Sequence, residues 1–269
     1  MFEEFIIKFK NLNNMELNEV EEIYDSISPA QINLKSFETK EKLNPKLWDE
    51  NGELDQKVRK RLLTIAMDFY DSLNIETLPK DIIIVGSSAG YNWSKYSDID
   101  LHLLMDFSEI NDDSDLLKNY FNAKKITWTA QHNITIRGYE VELYVQPTDE
   151  QNASDGVYSL VKNEWLQIPK AKDIRLNKKL ITHQAAKVIN LIDKYIEEFN
   201  SGLNRKELEA LNIKADKLYK LIFQNRRDGL KQFGEGATNN IVFKVLRRSG
   251  HLEALRDLKF NIYDELETI

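Results

Sequence analysis

Asp81-Ile-Ile-Ile-Val85 runs directly into Gly86-Ser-Ser-Ala-Gly90, and a short loop later the chain reads Ser97-Asp-Ile-Asp-Leu-His-Leu-Leu-Met105. The first run is β-branched and bounded by Pro79 and Gly86, which predicts a buried strand. The second alternates strictly. Ile99, Leu101, Leu103 and Met105 make one face; Asp98, Asp100, His102 and Leu104 make the other.

That alternation carries a chemical consequence. Side chains two residues apart on a strand project from one face, so Asp98 and Asp100 stand side by side. Their mutual repulsion is costly without a cation between them. A divalent metal removes the cost, and two metals about 3.5–4 Å apart can activate an attacking oxygen and stabilise a leaving one. A third acid comes from Tyr139–Val145. There Val141, Leu143 and Val145 face one way, and Glu140, Glu142, Tyr144 and Gln146 the other. Glu142, more central in the strand, is the expected third ligand and Glu140 its rival. Gly86 permits close backbone approach at an expected strand-to-helix turn. The amides there and the Ser87 hydroxyl can hold phosphate oxygens. Lys95, in the following loop, reads either as a neutraliser of triphosphate charge or as a solvated loop lysine.

Working outward, Leu54, Val58, Leu62, Ile65, Phe69 and Leu73 recur every three or four residues and predict a helix over 53–74. Residues 114–131 predict another helix, although Ile126-Thr-Trp-Thr129 also suits a strand. Ile134-Thr-Ile136 and Tyr139–Val145 read as a hairpin turning at Arg137-Gly138. Asn44-Pro-Lys-Leu-Trp-Asp49 reads as a turn carrying an aromatic anchor. From about 177 the pattern is helical to the end, over 177–199, 205–231, 238–248 and 251–267, with breaks at Gly202, Gly234-Glu-Gly236 and Gly250. The expected fold class is α+β: a mixed β-sheet with flanking helices, followed by a C-terminal helical domain. The expected division is 1–172, an N-terminal extension plus the sheet-bearing domain with its core at about 53–150, then 173–269.

Composition narrows the chemistry. With 269 residues and 42% hydrophobic content, the chain can bury a substantial core. It has no cysteine, which removes disulfides, thiolate catalysis and cysteine-ligated zinc together. Its four histidines, His102, His132, His183 and His251, are scattered, so an expected metal is hard and oxygen-bound, Mg2+ or Mn2+. No apolar run approaches the roughly 20 residues of a membrane helix, and Met1–Ile7 lacks signal-peptide character. The expectation is a soluble, cytoplasmic chain without membrane contact. Net charge is −7, unlike a dedicated nucleic-acid binder. Residues 214–231 and 244–248 are nonetheless locally basic, including Arg226-Arg227, Lys231, Lys244 and Arg247-Arg248. A solvated helix face and a phosphate-facing surface both fit that pattern.

Val85-Gly-Ser-Ser-Ala-Gly-Tyr-Asn-Trp-Ser-Lys-Tyr-Ser-Asp-Ile-Asp-Leu101 resembles the signature of the nucleotidyltransferase superfamily that includes DNA polymerase β. The resemblance covers about residues 80–146, and the flanking sequence resembles phage-encoded members. It implies a nucleotidyltransferase-type sheet. It also implies that Gly86 and Ser87 contact a nucleoside triphosphate, that Asp98 and Asp100 bind both metals, and that the third acid binds the catalytic one. At that third position Glu142 departs from the commoner aspartate. No P-loop is present.

The expected function is therefore metal-dependent transfer of a nucleoside monophosphate from an NTP to an acceptor hydroxyl, with release of pyrophosphate. The basic stretches tilt the expected acceptor slightly toward RNA, with protein and small molecules open. The competing expectation is a non-catalytic nucleotide-binding or interaction module on the same fold. His102, on the face of the two aspartates, suits either a place beside the substrate or, preferably, that of a hydrogen-bonded rim histidine. Trp93 suits either base stacking or core closure, and Tyr158 and Trp165 read as packing residues.

Overall fold

The structure is a computed structural model that describes residues 31–151, 154–171 and 176–268. Most of the expected N-terminal extension, residues 1–30, lies outside the described residues, as do residues 172–175 around the expected domain boundary. The chain divides into two compact units. One is Lys35–Asp173; the described part of the other comprises residues 31–34 and 176–268.

The first unit is a six-stranded mixed sheet with two α-helices. Helix α1 is Gln56–Leu73, followed by β1 (Asp81–Val85), β2 (Ile99–Met105), α2 (Ser114–Gln131), β3 (Thr135–Ile136), β4 (Tyr139–Pro147), β5 (Val157–Ser159) and β6 (Glu164–Gln167). The strand order is β3-β4-β2-β1-β5-β6. Only the β2–β4 pairing is parallel; the others are antiparallel.

Helix α1 starts later than the periodicity predicts because Asp55 caps it. The Asp55 carboxylate accepts hydrogen bonds from the Lys57 and Val58 amides, which the helix itself leaves without partners. Val58, Leu62, Ile65, Phe69 and Leu73 are buried as the stripe requires. Residues 126–129 are helical, not extended, because Leu117 and Phe121 anchor α2 to the core one and two turns earlier.

The hairpin turns at Arg137-Gly138 as expected. Both residues have positive φ, +54° and +86°, the geometry a two-residue turn needs to match strand twist. Strands β5 and β6 are not legible in the sequence. They have three and four residues and no clear alternation; β5 forms by pairing with β1, and β6 by pairing with β5.

The core lies on one side of the sheet. Ile82 and Ile84 of β1, the four alternating apolar residues of β2, and Leu143 and Val145 of β4 pack there with Leu62, Phe69 and Phe121 from the helices. Trp48 joins this cluster. It stacks on Trp165 at 4.5 Å and meets Tyr158 edge-on at 5.0 Å. Tyr158 and Trp165 thus take packing roles. On the opposite side of the sheet, Ile83, Val85 and Val157 form a smaller buried cluster with Leu104.

The second unit is helical: α3 (Lys178–Asn200), α4 (Arg205–Phe233), α5 (Thr238–Arg248) and α6 (His251–Thr268). Asn204 and Glu207 close a capping box at the start of α4, each side chain bonded to the other's backbone amide. Leu211, Ala215, Leu218, Leu246 and Leu255 are among its buried residues. No helix among the described residues is long and apolar enough to cross a membrane.

Candidate active site

The second side of the sheet carries the acids. Strand β2 is buried at every odd position and partly open at every even one, so Asp100 and His102 project from the face opposite the core. Asp98 lies just before the strand and is partly exposed.

The backbone register brings in the third acid. Ile99 pairs with Val141, Asp100 with Glu142, and His102 with Tyr144. Paired residues on neighbouring strands share a face, so Glu142 stands beside Asp100. Glu140 pairs instead with Thr135 in the β3–β4 hairpin.

Val85 pairs with Asp100 from the other flank, which puts Gly86 directly against that carboxylate. Gly86 has φ +71°, and a Cβ built on it would lie 1.9 Å from Asp100 Oδ2. Both the dihedral and the approach require glycine. The Gly86 amide donates to Ser154 Oγ at 2.8 Å.

Beyond Gly86 the chain makes a four-residue 3-10 turn, Gly86–Ala89, and not the α-helix start that the sequence suggested. The Gly90 amide closes the turn on the Ser87 carbonyl, and Gly90 itself is extended. No helix macrodipole is therefore available at this turn, and any anion held here is held by individual amides and hydroxyls.

Serines stitch the turn to the acid strand. Ser87 Oγ donates to Ser97 Oγ at 2.8 Å, and the Ser94 amide donates to the same Ser97 oxygen at 3.0 Å. Ser88 is fully buried and its hydroxyl donates to the Asp98 carbonyl. From below, Trp48 Nε1 donates to the Ser88 carbonyl at 2.8 Å. The Asn44–Asp49 turn, closed by amides of Leu47 and Trp48 on the Asn44 carbonyl, therefore supports the Gly86–Ala89 turn. The signal for Ser97 was its place immediately before Asp98. Ser88 and Ser154 carry no such signal of their own in the sequence.

Lys95 is exposed, its ammonium 4.8 Å from the centre of the Tyr96 ring. Trp93 donates its indole N–H to the Lys42 carbonyl at 2.9 Å, which ties the loop between the two motif halves to the segment before Trp48. His102 Nδ1 lies 2.7 Å from Gln146 Oε1, and its ring meets Tyr144 edge-on at 5.0 Å. Burial pushes the imidazole below its usual range, against the opposing effect of the Gln146 bond.

Glu142 has a partner that the sequence did not announce. Lys125 Nζ of α2 lies 2.5 Å from Glu142 Oε1. Among the described residues, no three Asp, Glu, His or Cys side chains gather in a group that could hold a metal ion. The donor types nevertheless suit one. Asp98, Asp100 and Glu142 offer only carboxylate oxygens, which match Mg2+ or Mn2+.

No family model, curated protein or solved structure matches the chain.

Proposed function

We propose that this chain is a metal-dependent nucleotidyltransferase of the DNA polymerase β-like type, moving a nucleoside monophosphate from an NTP to an acceptor hydroxyl. The observation that carries this reading is the backbone register. Glu142 lies beside Asp100 on a parallel neighbour strand, while Gly86 is pressed against the same Asp100 from the other flank.

Asp98, Asp100 and Glu142 would hold Mg2+ or Mn2+. When bound, such ions neutralise triphosphate charge and acidify an acceptor hydroxyl. The protein's own part is positional. The Gly86–Ala89 turn gives backbone approach to the phosphates, and the Ser87 hydroxyl is available on exchange of its bond to Ser97. The Ser88 and Trp48 bonds hold that turn at a fixed distance from Asp98. Attack forms a bond from the acceptor oxygen to the α-phosphorus. The bond to the β-phosphate oxygen breaks, and pyrophosphate leaves with the electron pair.

The basic stretch that tilted the acceptor toward RNA is largely occupied within its own unit. Lys214 pairs with Glu198, Lys220 with Asp216 and Lys244 with Glu235, and Arg226 stacks on Phe243 at 4.2 Å. An acceptor screen therefore spans RNA, protein and small molecules equally.

The test is incubation with each labelled NTP, Mg2+ and total RNA or cell lysate. Label should enter one acceptor class with wild type and not with the Asp98→Ala/Asp100→Ala double variant. Equal incorporation by both proteins would refute the assignment. A second reading, a non-catalytic nucleotide-binding module, draws on the Lys125–Glu142 bond, which engages the third acid internally. Tight NTP binding without transfer to any acceptor would establish it.

A further inference from the structure

Lys125 has a position that a solvated helix lysine does not have. It lies one turn after Phe121, which is buried in the core, and three residues before Trp128, which packs against that core and meets Phe69 edge-on at 5.7 Å. This brings its ammonium to the acid-bearing strand β4, where it contacts Glu142, the residue paired with Asp100. The neighbouring Lys124 turns elsewhere and donates to the Ser72 carbonyl at 3.0 Å. So the ammonium belongs to the face that carries Asp100, His102 and Glu142.

We infer that Lys125 is a tethered cation that competes with a divalent metal for the Glu142 carboxylate. The inference rests on the metal-dependent reading above. An ammonium and a divalent ion repel each other, and both seek the same oxygens. Lys125 engages a Glu142 oxygen that a metal would need, and among the described residues the three acids do not form a metal-holding group. Lys125 thereby lowers affinity for free metal. Arrival of a triphosphate, with several negative charges, offers the ammonium another partner and frees Glu142. The device makes full assembly of the site depend on the nucleotide. The Glu142 side chain is 49% exposed and that of Lys125 23%, so the pair is worth a few-fold in affinity and not orders of magnitude.

The experiment is calorimetric titration of the nucleotide-free full chain with MnCl2. Lys125→Gln should bind Mn2+ about fivefold more tightly than wild type, the upper range for a partly exposed pair. Lys125→Arg, which keeps the charge, should stay at the wild-type value. Lys125→Gln combined with Glu142→Gln should lose the gain. Lys125→Met, which keeps the apolar stem, repeats the test if the glutamine variant folds poorly. Unchanged or weaker Mn2+ binding in the charge-removing variants overturns the role of Lys125 while leaving the metal site standing. If Asp98→Asn/Asp100→Asn binds Mn2+ as wild type does, the metal reading itself falls, and this inference with it.

Discussion

Gly86 and Asp100 are in direct apposition: the space a Cβ would occupy on Gly86 is already filled by the Asp100 carboxylate, 1.9 Å from Oδ2. This contact couples the two halves of the motif. Strand β1 can deliver its turn to the acid face only if nothing but hydrogen extends from residue 86. A Gly86→Ala variant meets two penalties at once, a positive φ and a clash. Gly138 separates them, because it also has positive φ, +86°, but its nearest neighbour is the flexible Lys46 ammonium at 3.9 Å. Gly138→Ala should cost about 1–3 kcal/mol of stability by strain alone and keep activity. Gly86→Ala should cost more and reduce nucleotidyl transfer at least about 100-fold, since a displacement near 1 Å of a positioning group has that effect. Thermal melting and label incorporation read the two quantities. Equal activity in the two variants would remove the contact from the site.

The support beneath the turn predicts a second effect. Trp48 Nε1 is the hydrogen-bond donor to the Ser88 carbonyl, in a buried setting. Trp48→Phe keeps the aromatic packing on Trp165 and Tyr158 in large part but leaves that carbonyl without its donor. The expected cost is about 1–3 kcal/mol. Transfer activity should fall further than stability at a temperature where the variant is fully folded, because the same bond fixes the Gly86–Ala89 turn. A variant with lowered melting temperature and unaltered kcat/KM would show Trp48 to be purely structural.

What was legible in the sequence follows from which interactions are local. The alternation from Ile99 to Met105 predicts two faces, and burial of the strand follows it residue by residue. The Arg137-Gly138 turn was legible because turn chemistry is a property of the dipeptide. The register that sets Glu142 beside Asp100 was not, because it joins strands separated by a whole helix. Lys125 was invisible for the same reason: its partner is chosen by how Phe121 and Trp128 seat α2, and not by its neighbours in sequence. The 3-10 turn at Gly86–Ala89 departed from the expected helix start because Gly90 closes it after four residues. Strands β5 and β6 are too short to carry a period; β5 adds to the edge of β1, and β6 adds to β5.

The register also predicts a contrast between two glutamates. Glu142 pairs with Asp100 and Glu140 with Thr135. Glu142→Gln keeps the shape and removes the charge. It should lower kcat at least about 100-fold, as loss of a group acting on the transferring phosphate does. Glu140→Gln should transfer label at the wild-type rate. The reverse ranking, measured under saturating Mg2+ and NTP, would move the third ligand to Glu140.

Acid titration provides a test of the scaffold that is independent of the reaction. The Asp55 carboxyl is held below its usual range, chiefly by the Val58 amide, against a smaller opposing effect of burial and with help from the Lys57 amide and the Arg137 guanidinium. Its ordinary value is 3.8. A carboxyl whose folded pKa is depressed stabilises the fold above its unfolded pKa, and that contribution disappears as pH falls through the folded value. The stabilisation from Asp55 is therefore complete at neutral pH, begins to decline near 3.8 and is gone below the depressed value. Asp55→Ala should melt lower than wild type at pH 7 by an amount matching a lost N-cap, about 1 kcal/mol. The gap should narrow as pH falls below 4 and should not narrow between pH 7 and 5. A gap that closed already in that upper range would mean that a different group, with a raised pKa, supplies the difference.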